Sequence, residues 1–216
     1  CFHFFVLISL ISVSAAKDVV YVSKFSPDQN IINQLNSIGL SFDVKLDTQL
    51  SGTNFDNYNM VLIDDSFLDI SKIPISTKHI MSLSTIYTED VGFSNSASVF
   101  ASTAPIDVKV ITRNLVSGSL PNIFKMYTAA VDSNGINIPL YGLPFVPDRS
   151  RDTLNIVGTN NGDKNPIVGV IDVGKRLYPS GVSNTRRLFF GATRSDLWTN
   201  EAKILFSNSI LWVLDG

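Results

Sequence analysis

Val19-Val20-Tyr21-Val22, then Ser26-Pro27-Asp28, then Ile31, Ile32, Leu35 and Ile38 ahead of Gly39, then Phe42, Val44 and Leu46: these residues decide the fold. The first run is apolar without a break, β-branched and aromatic, as in strands buried on both faces of a parallel sheet. Ser26 can cap a helix, Pro27 suits a first helical position, and Asp28 favours the positive end of the helix dipole. The four apolar residues that follow recur at helical spacing, and Gly39 supplies a stop. Phe42, Val44 and Leu46 alternate with polar residues, which is the period of a strand with one wetter face. Strand, helix and strand within about thirty residues form a βαβ unit, whose crossover is right-handed.

Downstream, Phe55-Asp56-Asn57-Tyr58 reads as a turn, Met60–Ile63 as a third strand ending in Asp64-Asp65-Ser66, and Ile80–Leu83 as a fourth. The middle of the chain changes character. Residues 99–102, 108–111, 123–127, 136–141 and 154–157 are short β-like runs separated by Gly, Pro, Asn and Asp, the pattern of antiparallel strands and hairpins. Residues 167–173 and Arg187–Phe190 are further strands, the latter closed by Gly191. A final helix starts within Ser195–Thr199, with Ile204, Leu205, Leu211 and Trp212 as one face, Phe206 and Val213 beside it, and Ala202 and Ser209 small enough to meet the sheet. The expected fold class is therefore α/β: a flavodoxin-like, doubly wound, mostly parallel sheet with an antiparallel β-rich insertion in the middle of the chain.

Residues 2–16 carry no formal charge and form an apolar run ending in small residues, with Ser14 and Ala16 at the −3 and −1 positions of a cleavage site before Lys17. The run is too short to span a hydrocarbon core of about 30 Å as a helix. It reads as the apolar and cleavage regions of an export signal whose basic region is missing; a buried first strand or helix is the alternative. The expected organisation is a truncated signal peptide over residues 1–16 and a single domain over residues 17–216, secreted or at the cell surface, without a membrane span in the mature chain. An apolar content of 44% in 216 residues is enough for a full core, and a net charge of −2 with scattered Lys and Arg leaves no basic stripe for phosphates, so nucleic acid is not an expected partner. Cys1 is the one cysteine, so the mature domain has no disulfide, thiolate metal ligand or cysteine nucleophile.

Five features in order resemble a known family. They are the helix closing in Leu35 and Gly39, the strand Asp56-Asn57-Tyr58-Asn59-Met60-Val61-Leu62-Ile63, and the segment Tyr87-Thr88-Glu89-Asp90-Val91-Gly92. Then come Arg186-Arg187-Leu188-Phe189-Phe190-Gly191 and the helix from Asn200 through Leu205-Phe206 to Trp212. Together they resemble the class I glutamine amidotransferase-like superfamily, in particular its ThuA-like and secreted non-catalytic variants. The resemblance covers roughly residues 17–64, 80–93 and 167–213. It implies an enzyme with a cysteine on a nucleophile elbow and a later histidine and glutamate. This chain departs from that pattern: it has no mature cysteine and no Gly-x-Ser-x-Gly substitute, and its one mature histidine, His79, precedes the fourth strand. Acyl transfer by the family's mechanism is excluded.

In open α/β sheets, ligands bind outside the carboxyl ends of the strands. That edge should gather Lys24 and Ser26, then Asp64, Asp65 and Ser66, then Tyr87, Glu89 and Asp90, with Trp198 on the rim as a sugar-stacking surface. Lys24, Ser26, Ser66, Tyr87 and Trp198 are the crevice candidates for ligand binding. Asp64, Asp65, Glu89 and Asp90 could hold a hard cation such as Ca²⁺ or Mg²⁺, or could be caps and solvated loop charges. Otherwise no cofactor is expected. Arg186 and Arg187 could meet an anion or surface carboxylates. Asn160-Asn161-Gly162-Asp163 has calcium-loop composition without EF-hand spacing and reads as a hairpin turn. His79 is expected to be structural.

The functional expectation is an extracellular binding or structural module, part of a longer cell-surface protein, with a protein or glycan partner. The alternatives are a carbohydrate-binding or carbohydrate-processing protein, which the ThuA-like resemblance implies, and a metal-dependent hydrolase built on the acidic cluster.

Overall fold

The computed structural model describes residues 16–101, 107–144, 147–159 and 165–215. Its main sheet starts with β1 (Lys17–Ser23), β2 (Phe42–Leu46), β3 (Tyr58–Ile63) and β4 (His79–Ser82). It continues with β6 (Asp107–Val110), β7 (Ile123–Lys125), β9 (Leu154–Thr159), β10 (Pro166–Ile171) and β11 (Arg187–Phe190). The order is β2-β1-β3-β4-β11-β10-β9-β6-β7. From β2 to β11 neighbours run parallel; from β11 to β7 they run antiparallel. β5 (Ser98–Ala101) and β8 (Pro139–Gly142) form a separate antiparallel pair. The β-rich middle is thus antiparallel as expected, but most of it extends the one sheet rather than standing apart as an insertion.

The continuous apolar runs became the central strands, and their alternate residues feed two cores. Val19, Tyr21, Met60 and Leu62 face helices α1 (Gln29–Ser37) and α2 (Asn200–Leu214), joining Ile31, Leu35, Leu205, Phe206 and Ile210. Val20, Val22, Val61 and Ile63 face the other way, towards Leu50, Phe55, Ile73, Val91 and Phe93. Each such aliphatic strand side chain is fully buried, a stabilisation of about 1.5–3 kcal/mol apiece. A doubly wound sheet carries helices on both faces. Here the second face is covered, among the described residues, by 3-10 turns at Asp47–Gly52, Phe55–Asn57 and Ile70–Lys72 and by the segment around Tyr87–Phe93. The crossovers on that side, residues 47–57 and 64–78, are short and rich in Asp, Ser and Asn, residues that favour turns over helix interiors.

Two local readings need correction. The cap of α1 is Asp28, whose carboxylate accepts the Asn30 N–H at 2.8 Å, whereas Ser26 is exposed upstream of it. Gly39 follows the helix with φ of +74°, the left-handed turn that favours glycine. In α2, capped by Thr199, Ile204 and Leu211 point outwards, 48% and 42% exposed, while Ala202, Leu205, Phe206, Ser209, Ile210, Trp212 and Val213 are buried. No helix among the described residues is long and apolar enough to cross a membrane. The Asn160–Asp163 turn lies outside the described residues.

Candidate functional site

The carboxyl ends of β1, β3 and β4 meet at one edge, as the topology requires, and Asp64 is the centre of the polar groups there. It follows β3 directly, its N–H donating to Val22 O at 3.0 Å. Tyr21 donates its hydroxyl to one Asp64 oxygen at 2.9 Å, and Ser23 donates to the other at 2.8 Å. The Tyr21 hydroxyl also accepts the Asp28 N–H at 3.2 Å, so the start of α1 is tied to the same carboxylate. Burial, reinforced by the Asp64 charge, pushes the Tyr21 phenol well above its ordinary range and keeps it a donor. Asp28 in turn accepts from Ser195, which anchors the loop ahead of α2.

The other candidates are engaged with one another too. Ser66 accepts the Lys24 N–H at 3.1 Å, and the Lys24 ammonium lies 3.4 Å from Asp47 and 5.9 Å from the Phe25 ring centre. Asp47 also accepts the Asp69 N–H at 2.7 Å; that bond first, and Lys24 second, hold its carboxyl below the usual range. Asp65 accepts the Thr85 N–H at 3.3 Å, and desolvation, with Asp64 alongside, raises its carboxyl. Ser26 stays exposed at the edge.

Four candidates fall elsewhere. Tyr87 is buried, with its hydroxyl donating to Leu68 O at 2.8 Å. Trp198 is core: it packs with Phe190 and Phe206 at ring separations of 5.5 and 4.8 Å, and its Nε1 donates to Ala192 O at 2.9 Å. It presents no stacking face. Glu89 and Asp90 are exposed and line a separate shallow groove with Ile73, Pro74, Tyr178 and Arg187. The four carboxylates therefore do not converge, and among the described residues no group of three or more His, Cys, Asp or Glu side chains is arranged to hold a metal.

Arg186 donates to Asp172 at 3.3 Å and to Trp212 O at 2.5 Å, and its guanidinium lies over the Trp212 ring. Arg187 is buried against Ser183 Oγ, Val91 O and Ile75 O. His79 accepts the Arg186 N–H at Nδ1, the structural role expected of it.

What the sequence-based candidates left out is apolar. Phe25, Phe67 and Ile86 follow the carboxyl ends of β1, β3 and β4 in turn, and they are 75%, 73% and 41% exposed. Each sits in a polar stretch (Lys24-Phe25-Ser26, Ser66-Phe67, Thr85-Ile86), so a large apolar residue where a loop should be polar was the available signal.

The closing motif of the sheet explains its glycine. A Cβ on Gly191 would sit 1.9 Å from Tyr141 O, because β8 runs directly over the end of β11 and Tyr141 N–H donates to Gly191 O at 2.9 Å.

The fold is similar to that of solved structures described as a GMP synthase subunit and as a ThuA-like protein. A GMP synthase component from Thermoplasma acidophilum, so assigned, superposes with a TM-score of 0.57 at 11% identity, over 94% of this chain and 96% of its own. A protein assigned as ThuA-like from Bacteroides uniformis gives 0.55 at 10% identity, over 96% and 95%. At such identities the likeness concerns the fold. No protein-family model and no curated protein matches the chain.

Proposed function

We propose that this chain is a secreted, non-catalytic glutamine amidotransferase-like domain that acts as an extracellular binding or structural module. One observation carries the reading: at the edge where this fold class binds ligands, Asp64, Asp65, Ser66 and Lys24 are engaged within the fold, and the exposed side chains include the large apolar Phe25, Phe67 and Ile86. An active site needs a nucleophile, base or metal ligand held ready for substrate. Asp64 instead accepts from two hydroxyl donors of its own fold, one on each oxygen, and the mature sequence has no cysteine to attack glutamine. Exposed aromatics at a loop edge suit contact with another surface. The carbohydrate reading, which the ThuA-like resemblance implies, would be favoured by a pocket holding Trp198 or Tyr87 with the carboxylates, and both side chains are buried.

A thermal-shift screen of the chain against L-glutamine, Ca²⁺, Mg²⁺ and neutral sugars tests this. A ligand at 100 times its Kd stabilises by roughly 2.7 kcal/mol, a rise of about 5–10 °C at this size. The expected result is no shift. A rise with glutamine, or one with a divalent ion that Asp64→Asn or Glu89→Gln abolishes, would sink the non-catalytic reading; a rise with sugars alone would move it to carbohydrate binding.

A further inference from the structure

A cavity of about 380 Å³ opens at the edge of the sheet opposite the carboxyl ends of β1, β3 and β4, where β10 finishes and β9 and β11 begin. That is the size of a small-molecule site. Leu154, Val170 and Trp212 give it an apolar wall. Val170 and Trp212 belong to the core, whereas Leu154 is 45% exposed, a large apolar side chain left open to solvent where it lines this space.

Four charged side chains complete the lining, and they are of two kinds. The carboxylates are already paired, with cations that stand outside the cavity. Asp152 takes a two-pronged bond from Arg176 at 2.9 and 3.1 Å, and Asp172 accepts from Arg186 at 3.3 Å. The cations are not paired. Lys175 and Arg151 are exposed, and among the described residues neither forms an ion pair. Lys175 adds to the field at Asp152 behind Arg176 without touching it. The charge left for a ligand is positive.

Trp212 adds a donor. It is 7% exposed, the Arg186 guanidinium lies 4.8 Å from its ring centre, and Arg186 also donates to its carbonyl, so the indole is held in place. A buried Trp N–H usually finds an acceptor, as that of Trp198 does in Ala192 O. The Trp212 Nε1–H has none among the described residues, yet it is not one of the unsatisfied side-chain nitrogens sealed from solvent. It therefore keeps an open side, and the opening that its ring lines is this cavity.

We propose that this cavity binds a small amphipathic carboxylate. Its flat apolar body lies against Leu154, Val170 and Trp212, an acceptor on it takes the Trp212 N–H, and its negative charge is met at the mouth by Lys175 and Arg151. The volume suits one aryl acid, and the unpaired charge selects an acid over an amine. The site is at the far edge from Phe25, Phe67 and Ile86, and the proposal stands whether or not the reading of that edge holds.

The test uses the whole chain at constant ionic strength and follows its two indole N–H signals by proton–nitrogen correlation NMR, assigned by triple-resonance spectra. Trp198, bonded to Ala192 O, is the internal control. Phenylacetate, phenylacetamide, phenethylamine and acetate are titrated in turn. Phenylacetate should shift the Trp212 signal saturably and leave Trp198 in place. The amide should bind about tenfold more weakly, and the amine and acetate should give no saturable shift. Lys175→Gln and Arg151→Gln should each weaken phenylacetate about threefold and together about tenfold, with Tm unchanged because both side chains are exposed. An unmoved Trp212 signal, or a shift shared equally by both indoles, overturns the proposal. So does an amide or amine that binds as tightly as the acid, or unchanged affinity in the double variant.

Discussion

Tyr21 Oη lies 2.9 Å from Asp64 Oδ1, so the phenol in the middle of β1 donates to the carboxylate at the end of β3 while receiving the N–H of Asp28, the α1 cap. One hydroxyl thus joins two strands and a helix.

Removing it should be felt on both sides. Tyr21→Phe leaves the Asp28 N–H without its acceptor and Asp64 with one donor fewer, a loss of about 1–2 kcal/mol. Asp64→Ala strands both the Tyr21 and Ser23 hydroxyls and should cost about 2–3 kcal/mol. Urea denaturation measures both, and the double variant should cost less than the sum, since the two residues share one network.

Gly191→Ala is expected to be among the most damaging small substitutions in the chain. The added methyl would overlap Tyr141 O, a backbone atom of β8 that cannot rotate away. Either β8 lifts from the sheet or β11 shifts in register, at about 3 kcal/mol or more. By contrast, Gly52→Ala meets no atom within 4 Å and serves as the control.

Stability should fall as the pH drops below about 6.5, the ordinary histidine value. Desolvation first, then Arg186 and Lys78, lower the His79 pKa in the folded state. The unfolded chain therefore binds a proton that the folded chain resists, and the His79 contribution is complete above the unfolded pKa and lost on descent through the folded one. Protonation would also remove the Nδ1 acceptor of the Arg186 N–H. Denaturation midpoints at pH 8, 7, 6 and 5 read this slope, and His79→Gln should flatten it.

The apolar edge can be altered without harming the fold. Phe25→Ser and Phe67→Ser remove side chains that are about three-quarters exposed, so each should change stability by less than about 0.5 kcal/mol. Binding of an apolar fluorescent dye to the folded protein should fall in the double variant. A large loss of stability instead would mean that these rings support the loops.

Much of the fold was legible because the central strands are buried on both faces and read as uninterrupted apolar runs: Val19–Val22 and Met60–Ile63 need no context to be recognised. Continuity of the sheet was not legible. Nothing local in Leu154–Val157 says that it will pair with Val168 and Val110, since those partners are set by long-range register. The inward face of the last helix was legible only in part: Ala202, Leu205, Phe206, Ser209, Trp212 and Val213 turn inward as expected, whereas Ile204 and Leu211 do not. Its apolar residues spread beyond one face, and its seat against both the sheet and α1 decides that Ile210 goes in while Ile204 and Leu211 stay out. At the site, the sequence placed Asp64 and Lys24 at the right edge. It could not show that Tyr21 and Ser23 donate to the first, or that Trp198 turns inward to Phe190 and Phe206.

The junction of β4 with β11 has a consequence for the nascent chain. Ile80 and Met81 lie against Arg187 and Leu188, on strands separated by about a hundred residues of sequence. Emerging from a ribosome at about 5–20 residues per second, β4 waits on the order of 5–20 seconds for the strand that covers its far side. Through that interval its backbone donors and acceptors form an open template, with Ile80 and Met81 beside them, and a neighbouring chain could dock there. Synthesis of this protein therefore has a defined vulnerable period, which opens when His79–Ser82 appear and closes with Arg187–Phe190.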